Sequence, residues 1–329
     1  GEIPLNGAQG RVTLAFSVSD STIAQVDADE RTLRALVPGV VTVTVRANGA
    51  VGSRTVRVLA RIPNQAPGPV AGNLTFASVE AAETHSCGFT VDGAVYCWGN
   101  NSYLGATLDG ADTAWTPRRV EVPVPAVQLG VGAAHNCVAG ADGAVYCWGA
   151  NGYGQAGGAR VPVAVAGVRF VAVTAGTGHT CALTATQEAW CWGLDEHGQL
   201  GTTASEERCG SPPSYCRPRP APVATALRFQ QLEAGSVQTC GLAVDGAVYC
   251  WGAGSLGRAE PLPDVCRAFP RTGPGGGRAV PCSRTPLRVA DGARFVALDA
   301  SRRNSLSTGD PAAMSRLCAV REDGAVYCW

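Results

Sequence analysis

Lysine does not occur in this 329-residue chain; all 26 basic residues are arginine, and 26 acidic residues bring the formal net charge to zero. The balance removes any whole-chain electrostatic argument for nucleic acid or an acidic membrane as a partner. We read the arginine monopoly as a bias of the coding sequence, not a physical requirement. No apolar run reaches the length that a membrane-spanning helix needs, so no membrane span is expected in this stretch of chain. Methionine occurs once and histidine four times. No Ser-His-Asp arrangement, paired-carboxylate motif or phosphate-cradling glycine loop stands out. Gly273-Pro274-Gly275-Gly276-Gly277 is followed by neither Lys nor Ser or Thr, and no helix pattern follows it. The sequence therefore assigns no catalytic residue, no cofactor and no metal. It opens at Gly1 without Met or a signal peptide and stops at Trp329 inside a repeated phrase. Both ends are expected to be cut from something longer.

Cysteine, by contrast, is abundant, with 14 residues that partition into pairs. Cys87 and Cys97, Cys137 and Cys147, Cys181 and Cys191, Cys240 and Cys250, and Cys318 and Cys328 share one spacing. The second member of each sits in the phrase D-G-A-V-Y-C-W at 92–98, 142–148, 245–251 and 323–329, or in its degraded copy T-Q-E-A-W-C-W at 186–192. Such self-similarity decides the fold before single residues are weighed. The remaining cysteines form two local pairs, Cys209 with Cys216 and Cys266 with Cys282. Disulfide pairing of all 14 points to an oxidising, extracellular or cell-surface compartment. Metal ligation is the competing reading, because His85, His135 and His179 each precede a Cys by two residues. Gln238 and Arg316 stand at the same position in two units that keep both cysteines, which favours bridging. The histidines are then hydrogen-bonding struts.

The register of the hairpin follows from the turn. Val91-Asp92-Gly93 as a three-residue loop, with Gly93 in the left-handed position of a bulge, pairs Thr90 with Ala94. That sets Phe89 opposite Val95 and Cys87 opposite Cys97, whereas a two-residue loop would set Cys87 opposite Trp98. Cys87, Phe89, Val95 and Cys97 then share one face, and Tyr96 and Trp98 the other. Apolar residues on both faces require cover on both sides. A β-propeller blade, sandwiched between neighbours, has it, and Trp98, Trp148, Trp192, Trp251 and Trp329 are expected to pack between blades.

H-x-C-x-[LF]-x-x-D-G-A-V-Y-C-W-G followed by N-x-x-G-Q-x-G resembles the regulator of chromosome condensation repeat, in a cysteine-bearing form similar to the bacterial secreted branch. The best copies are 135–157 and 179–201. The resemblance implies a propeller that usually closes with seven blades, of which five are visible. It also implies, among secreted members, a protein inhibitor of β-lactamase. Residues 1–60 differ: they lack Cys and Trp and alternate as strands do in Val40-Val41-Thr42-Val43-Thr44-Val45. This stretch resembles the bacterial immunoglobulin-like domain, group 2, truncated at its start. A Pro-rich linker, 61–72, is expected before propeller repeats at 73–329. The fold class expected is all-β, a partial propeller behind an immunoglobulin-like sandwich.

Insertions carry the remaining functional signal. Material is added at 106–119, 202–219 and 258–288 after the W-G loops, and at 301–316 before the fifth Cys strand. In an up-and-down blade all of it lies on the face opposite the D-G turns. Arginines 258, 267, 271, 278, 284, 288, 302 and 303 (Arg258, Arg267, Arg271, Arg278, Arg284, Arg288, Arg302, Arg303) make these inserts cationic in a neutral chain. Such clusters attract carboxylate or phosphate groups. The expectation is a non-enzymatic extracellular binding module that docks a protein or an acidic glycan on the insert face. Enzyme inhibition comes second, and a carbohydrate-active enzyme third.

Overall fold

The structure is a computed structural model. It describes residues 14–21, 24–26, 33–35, 39–47, 50–58, 70, 72, 74–100, 113–157, 163–165, 167–203, 207–211, 213–257, 261–268, 278–289, 292–300 and 316–329. The chain divides into two compact units, Gly1–Pro69 and Val70–Trp329. All regular structure among the described residues is β.

The first unit holds β1 (Leu14–Val18), β2 (Ala24–Val26), β3 (Leu33–Ala35), β4 (Gly39–Ala47) and β5 (Ala50–Val58). The order is β1-β4-β5 in one antiparallel sheet, with β2 and β3 forming a separate ribbon. Val41 is fully buried while its neighbour Val40 is exposed, the alternation expected of a strand with one covered face.

The second unit is a five-blade β-propeller arrangement. Blade 1 contains β6 (Phe76–Ala81), β7 (His85–Thr90), β8 (Val95–Asn100) and β9 (Thr113–Val120). Blade 2 contains β10 (Ala126–Val131), β11 (His135–Gly140), β12 (Val145–Gly149) and β13 (Val163–Val165). Blade 3 runs through β14 (Ala172–Ala175), β15 (His179–Leu183), β16 (Ala189–Leu194), β17 (Arg208–Cys209) and β18 (Ser214–Pro222). Blade 4 runs through β19 (Phe229–Ala234), β20 (Gln238–Ala243), β21 (Val248–Ala253), β22 (Asp264–Ala268) and β23 (Arg278–Arg288). Blade 5 has β24 (Phe295–Ala300), β25 (Leu317–Arg321) and β26 (Val326–Cys328). Consecutive blades meet through the first strand of the later blade, which packs on both the first and the second strand of the blade before it.

Turn chemistry sets the register. Gly93, Gly143, Gly246 and Gly324 all have φ between 80° and 85°. In blade 1 the Thr90 N–H donates to the Ala94 carbonyl, and Phe89 faces Val95 and Cys87 faces Cys97. Blade 3 has no glycine here, and Gln187 takes the left-handed conformation with φ 62°. A side chain is strained there.

The hydrophobic core lies between blades. One cluster joins Cys137, Val145, Cys147 and Val165 of blade 2 to Phe170, Val173 and Trp192 of blade 3. Another joins Cys181, Leu183 and Cys191 to Phe229, Leu232 and Trp251. Trp192 and Trp251 are wholly buried in these seams, and Trp148 in the equivalent cluster between blades 1 and 2. Two-sided burial is what the apolar residues on both strand faces require.

Inner strands carry an unpaired edge, which is costly if buried without partners. Side chains of the preceding blade cover it. The Glu80 carboxylate accepts from the Val131 N–H, the Gln128 side chain from Val173 N–H, and Thr174 Oγ1 from Ala234 N–H. Gln231 serves both backbone groups of Leu298, accepting at 3.1 Å and donating at 2.6 Å. Space at these seams is tight: a Cβ on Gly132 or Gly176 would sit 2.4 Å from the carbonyl oxygen of the next blade.

Two faces are defined by backbone hydrogen bonds. On one, each D-G-type turn accepts from the first residue of the following blade, as Gly143 does from Phe170 and Gly246 from Phe295. On the other, the loop after the third strand bonds the link between the first two strands, as Ala150 N–H does to Ala134 and Leu194 N–H to Gly178. Insertions emerge on this second face.

Candidate docking surface

Seven disulfides join Cys87–Cys97, Cys137–Cys147, Cys181–Cys191, Cys240–Cys250, Cys318–Cys328, Cys209–Cys216 and Cys266–Cys282. The five hairpin bridges span directly opposed residues with Cα–Cα 4.1 Å, whereas the two insert bridges run diagonally at 5.8 Å. Each cross-link closes a short loop and contributes about 2–3 kcal/mol by chain entropy.

The histidines reach into the next blade. His85 Nε2 lies 2.8 Å from Asn136 Oδ1, His135 Nε2 2.8 Å from Thr180 Oγ1, and His179 Nε2 2.9 Å from Thr239 Oγ1. Thr180 and Thr239 donate their own hydrogens to the carbonyls of Gln155 and Gln199. Each hydroxyl therefore accepts from its histidine, which fixes the proton on Nε2. Blade 4 offers Gln238 instead, and the acceptor position in blade 5 is Leu317. The two departures belong to one seam.

Gln155 and Gln199 sit in the loops 151–157 (N-x-x-G-Q-x-G) and 195–201 (D-x-x-G-Q-x-G), which fold on themselves. Asn151 Oδ1 accepts from Ala156 N–H, and Gln155 Oε1 from Tyr153 N–H. The loops then press on the following blade's fourth strand: a Cβ on Gly154 would fall 2.3 Å from Pro218, and one on Gly198 3.1 Å from Arg284. The fourth strands of blades 1, 3 and 4 share a feature that sequence reading missed. Each bulges opposite the W-G step, at Trp115-Thr116-Pro117, Pro218-Arg219-Pro220 and Arg284-Thr285-Pro286. The third bulge residue is Pro every time, a residue that sheets tolerate at bulges because no ladder N–H is needed there. The recurring Pro at that place was the available signal.

In blades 3 and 4 the fourth strand is the returning arm of an extra hairpin, β17–β18 and β22–β23, making both sheets five-stranded. Cys216 faces Leu194 and Cys282 faces Ala253, one residue past the W-G glycine in each blade. The two stapled hairpins are thus erected at the same place on adjacent blades.

One buried carboxylate ties them together. Asp195, in the blade 3 loop, is 1% exposed; its Oδ2 lies 3.6 Å from Arg284 Nη1 of the blade 4 insert, and its Oδ1 accepts from Leu200 N–H. Burial pushes its pKa up to about 6, against the pull of Arg284, of that loop bond and of Arg217 from its own blade's insert. Arg217 donates to the Thr203 carbonyl. His197, in the same loop, is buried and held neutral, its pKa lowered to about 4; burial lowers that of His179 to about 3. The Asp264 carboxylate receives the Arg284 backbone N–H at 2.9 Å. This cluster binds two inserts to each other. Among the described residues it presents no nucleophile beside a base.

The arginines expected on one face separate in the structure. Arg258, Arg271, Arg302 and Arg303 lie outside the described residues. Arg267 and Arg278 occupy the paired end of the β22–β23 hairpin, opposite Ala279 and Ala268, with their side chains outside the description. Arg284 is spent on Asp195. Arg288 does not join the inserts: β23 is 11 residues long and carries it across the blade to pair with Tyr249, towards the D-G turn face. A strand rising about 3.4 Å per residue separates its two ends by most of the blade's height. The structure adds Arg208, exposed at the β17–β18 hairpin with its guanidinium 3.6 Å from the Tyr215 ring centroid.

The sequence profile of the Regulator of chromosome condensation (RCC1) repeat matches residues 76–103, 126–155 and 170–199. No curated protein matches the chain. Among solved structures, Prp20p of Saccharomyces cerevisiae superposes with TM-score 0.60 at 20% identity, over 92% of this chain and 72% of that one; its published description concerns binding to Gsp1p and histones. Yeast RCC1 (Prp20) bound by Kap60 gives TM-score 0.60 at 21% identity, over 92% and 71%. Human WBSCR16 gives 0.57 at 15%, over 80% and 68%. At these identities the likeness is one of fold, and together with the repeat match it makes the second unit an RCC1-like β-propeller.

Proposed function

We propose that this chain is a non-enzymatic extracellular binding module of bacterial type, whose partner, a protein or an acidic glycan, docks on the face bearing the stapled inserts of blades 3 and 4. One observation carries the reading: two disulfide-stapled hairpins rise at equivalent positions on adjacent blades, and Asp195 between them donates its N–H to the Tyr215 carbonyl of one while its carboxylate pairs with Arg284 of the other. Ordering two long inserts costs conformational entropy, and a rigid platform returns it as preorganised recognition. Cationic positions Arg208, Arg267 and Arg278 stand on these hairpins and select for acidic groups. The seven bridges suit an oxidising compartment. Proteins of this fold that bind Gsp1p, histones and Kap60 support a protein partner. The first unit, read as an immunoglobulin-like module, would serve as a spacer or anchor segment.

The test is surface binding of poly-L-glutamate and chondroitin sulfate, with neutral dextran as control, at low and high NaCl. Binding of an acidic probe that weakens with salt supports the reading. Absence of salt-sensitive binding to either acidic probe overturns it.

A further inference from the structure

A recess lies in the seam between blades 2 and 3, walled on one side by the returning arm β18. Its volume is about 710 Å³, and it is lined by Gly157, Val165, Gly167, Val168 and Trp190 together with the bulge residues Pro218, Arg219 and Pro220. That size falls within the roughly 300–1,000 Å³ range of small-ligand sites. Trp190 is the departure: the same position is Tyr96, Tyr146, Tyr249 and Tyr327 in the other blades. In blade 2 that tyrosine hydroxyl donates to the turn carboxylate of Asp142 at 2.8 Å. Blade 3 has no turn aspartate, and the wider indole, packed edge-on against Phe170 at 6.5 Å, lines the recess instead.

We infer that this recess is a binding site for an acidic saccharide of the uronate type. Three features select that chemistry. First, Arg219 is exposed at the rim, and no carboxylate lines the recess among the described residues, so an anionic group gains there. Second, an indole and two proline rings offer rigid apolar surface suited to the C–H faces of a sugar ring. Third, the wall is poorly suited to an added peptide strand. Strand addition needs outward N–H groups, and Pro218, Pro220 and Pro222 on a bulged strand supply none. Recognition then falls to side chains and ring faces, which a saccharide can use.

The inference rests on other side chains than the insert-face arginines and has its own variants. Titration with trigalacturonate, followed by saturation-transfer NMR and calorimetry, should show binding that neutral galactotriose lacks. Arg219→Gln should weaken it at least tenfold. Trp190→Tyr, which restores the repeated residue and preserves packing on Phe170, should weaken it by roughly three- to tenfold. Arg208→Glu with Arg278→Glu should leave it unchanged. Equal binding of the neutral trisaccharide, wild-type affinity in both recess variants, or competition by hexaglutamate at equal concentration would each overturn the assignment.

Discussion

The histidine struts yield the most quantitative expectation, because their proton placement is fixed by the second bond of each threonine. Thr180→Val preserves shape at a fully buried position but removes the acceptor for His135 Nε2–H and one of two donors to the Gln155 carbonyl. Trp192 Nε1–H still donates to that carbonyl at 2.9 Å, so the uncompensated group is mainly the imidazole. A buried donor left without a partner costs about 1–3 kcal/mol. We expect about 2 kcal/mol, or a fall in Tm of roughly 4–8 °C for a domain of this size. The partner substitution His135→Leu removes the orphan, so Thr180→Val with His135→Leu should cost less than the two single changes added, with a coupling of about 1–2 kcal/mol. Denaturant unfolding followed by near-ultraviolet circular dichroism, without reductant, measures all three. A Thr180→Val loss below about 0.5 kcal/mol, or strict additivity, would refute both the tautomer and the role of the strut.

Acid should destabilise the propeller. His179 and His197 have folded pKa values near 3 and 4, below their unfolded value of 6.5. Their contribution is full above pH 6.5 and is lost as pH falls towards 4, with a slope of up to about 1.4 kcal/mol per pH unit for each. Asp195, raised to about 6, works the other way: its contribution is complete below its unfolded value and lost as pH rises through 6. Two groups outweigh one, so Tm should fall steadily from pH 6.5 to pH 4, and a flat profile would contradict the burial of the imidazoles. Gln187→Gly replaces a strained left-handed residue with the one used by the other turns, and should raise stability by roughly 0.5–1 kcal/mol in chemical denaturation. Removing one hairpin bridge, Cys137→Ala with Cys147→Ala, should cost about 2–3 kcal/mol in the same assay.

The contrast between what the residues announced and what they hid has physical causes. The hairpin register was legible because three constraints coincide: alternation of two, a glycine that needs positive φ, and cysteines that must face each other. The placement of the core between blades followed from apolar residues on both strand faces. Less legible were the fourth strands. Proline reads as a strand breaker, and only a bulge makes Pro117, Pro220 and Pro286 compatible with pairing; hence the true length of β23 was hidden, and Arg288 was grouped with inserts that lie at the other end of the blade. Charge counting also treated Arg284 as free surface charge. Nothing local to the loop Leu194–Leu200 marks Asp195 as buried, because its cover comes from inserts in two different blades.

Charge reversal tests the docking claim most directly. Arg208→Glu, Arg267→Glu and Arg278→Glu together alter the stapled hairpins, while Arg119→Glu with Arg288→Glu makes comparable changes at the turn-facing ends of β9 and β23. The first variant should lose the salt-sensitive binding of poly-L-glutamate or chondroitin sulfate, and the second should keep it. Loss in the second variant with retention in the first would place the partner on the opposite face and contradict the account.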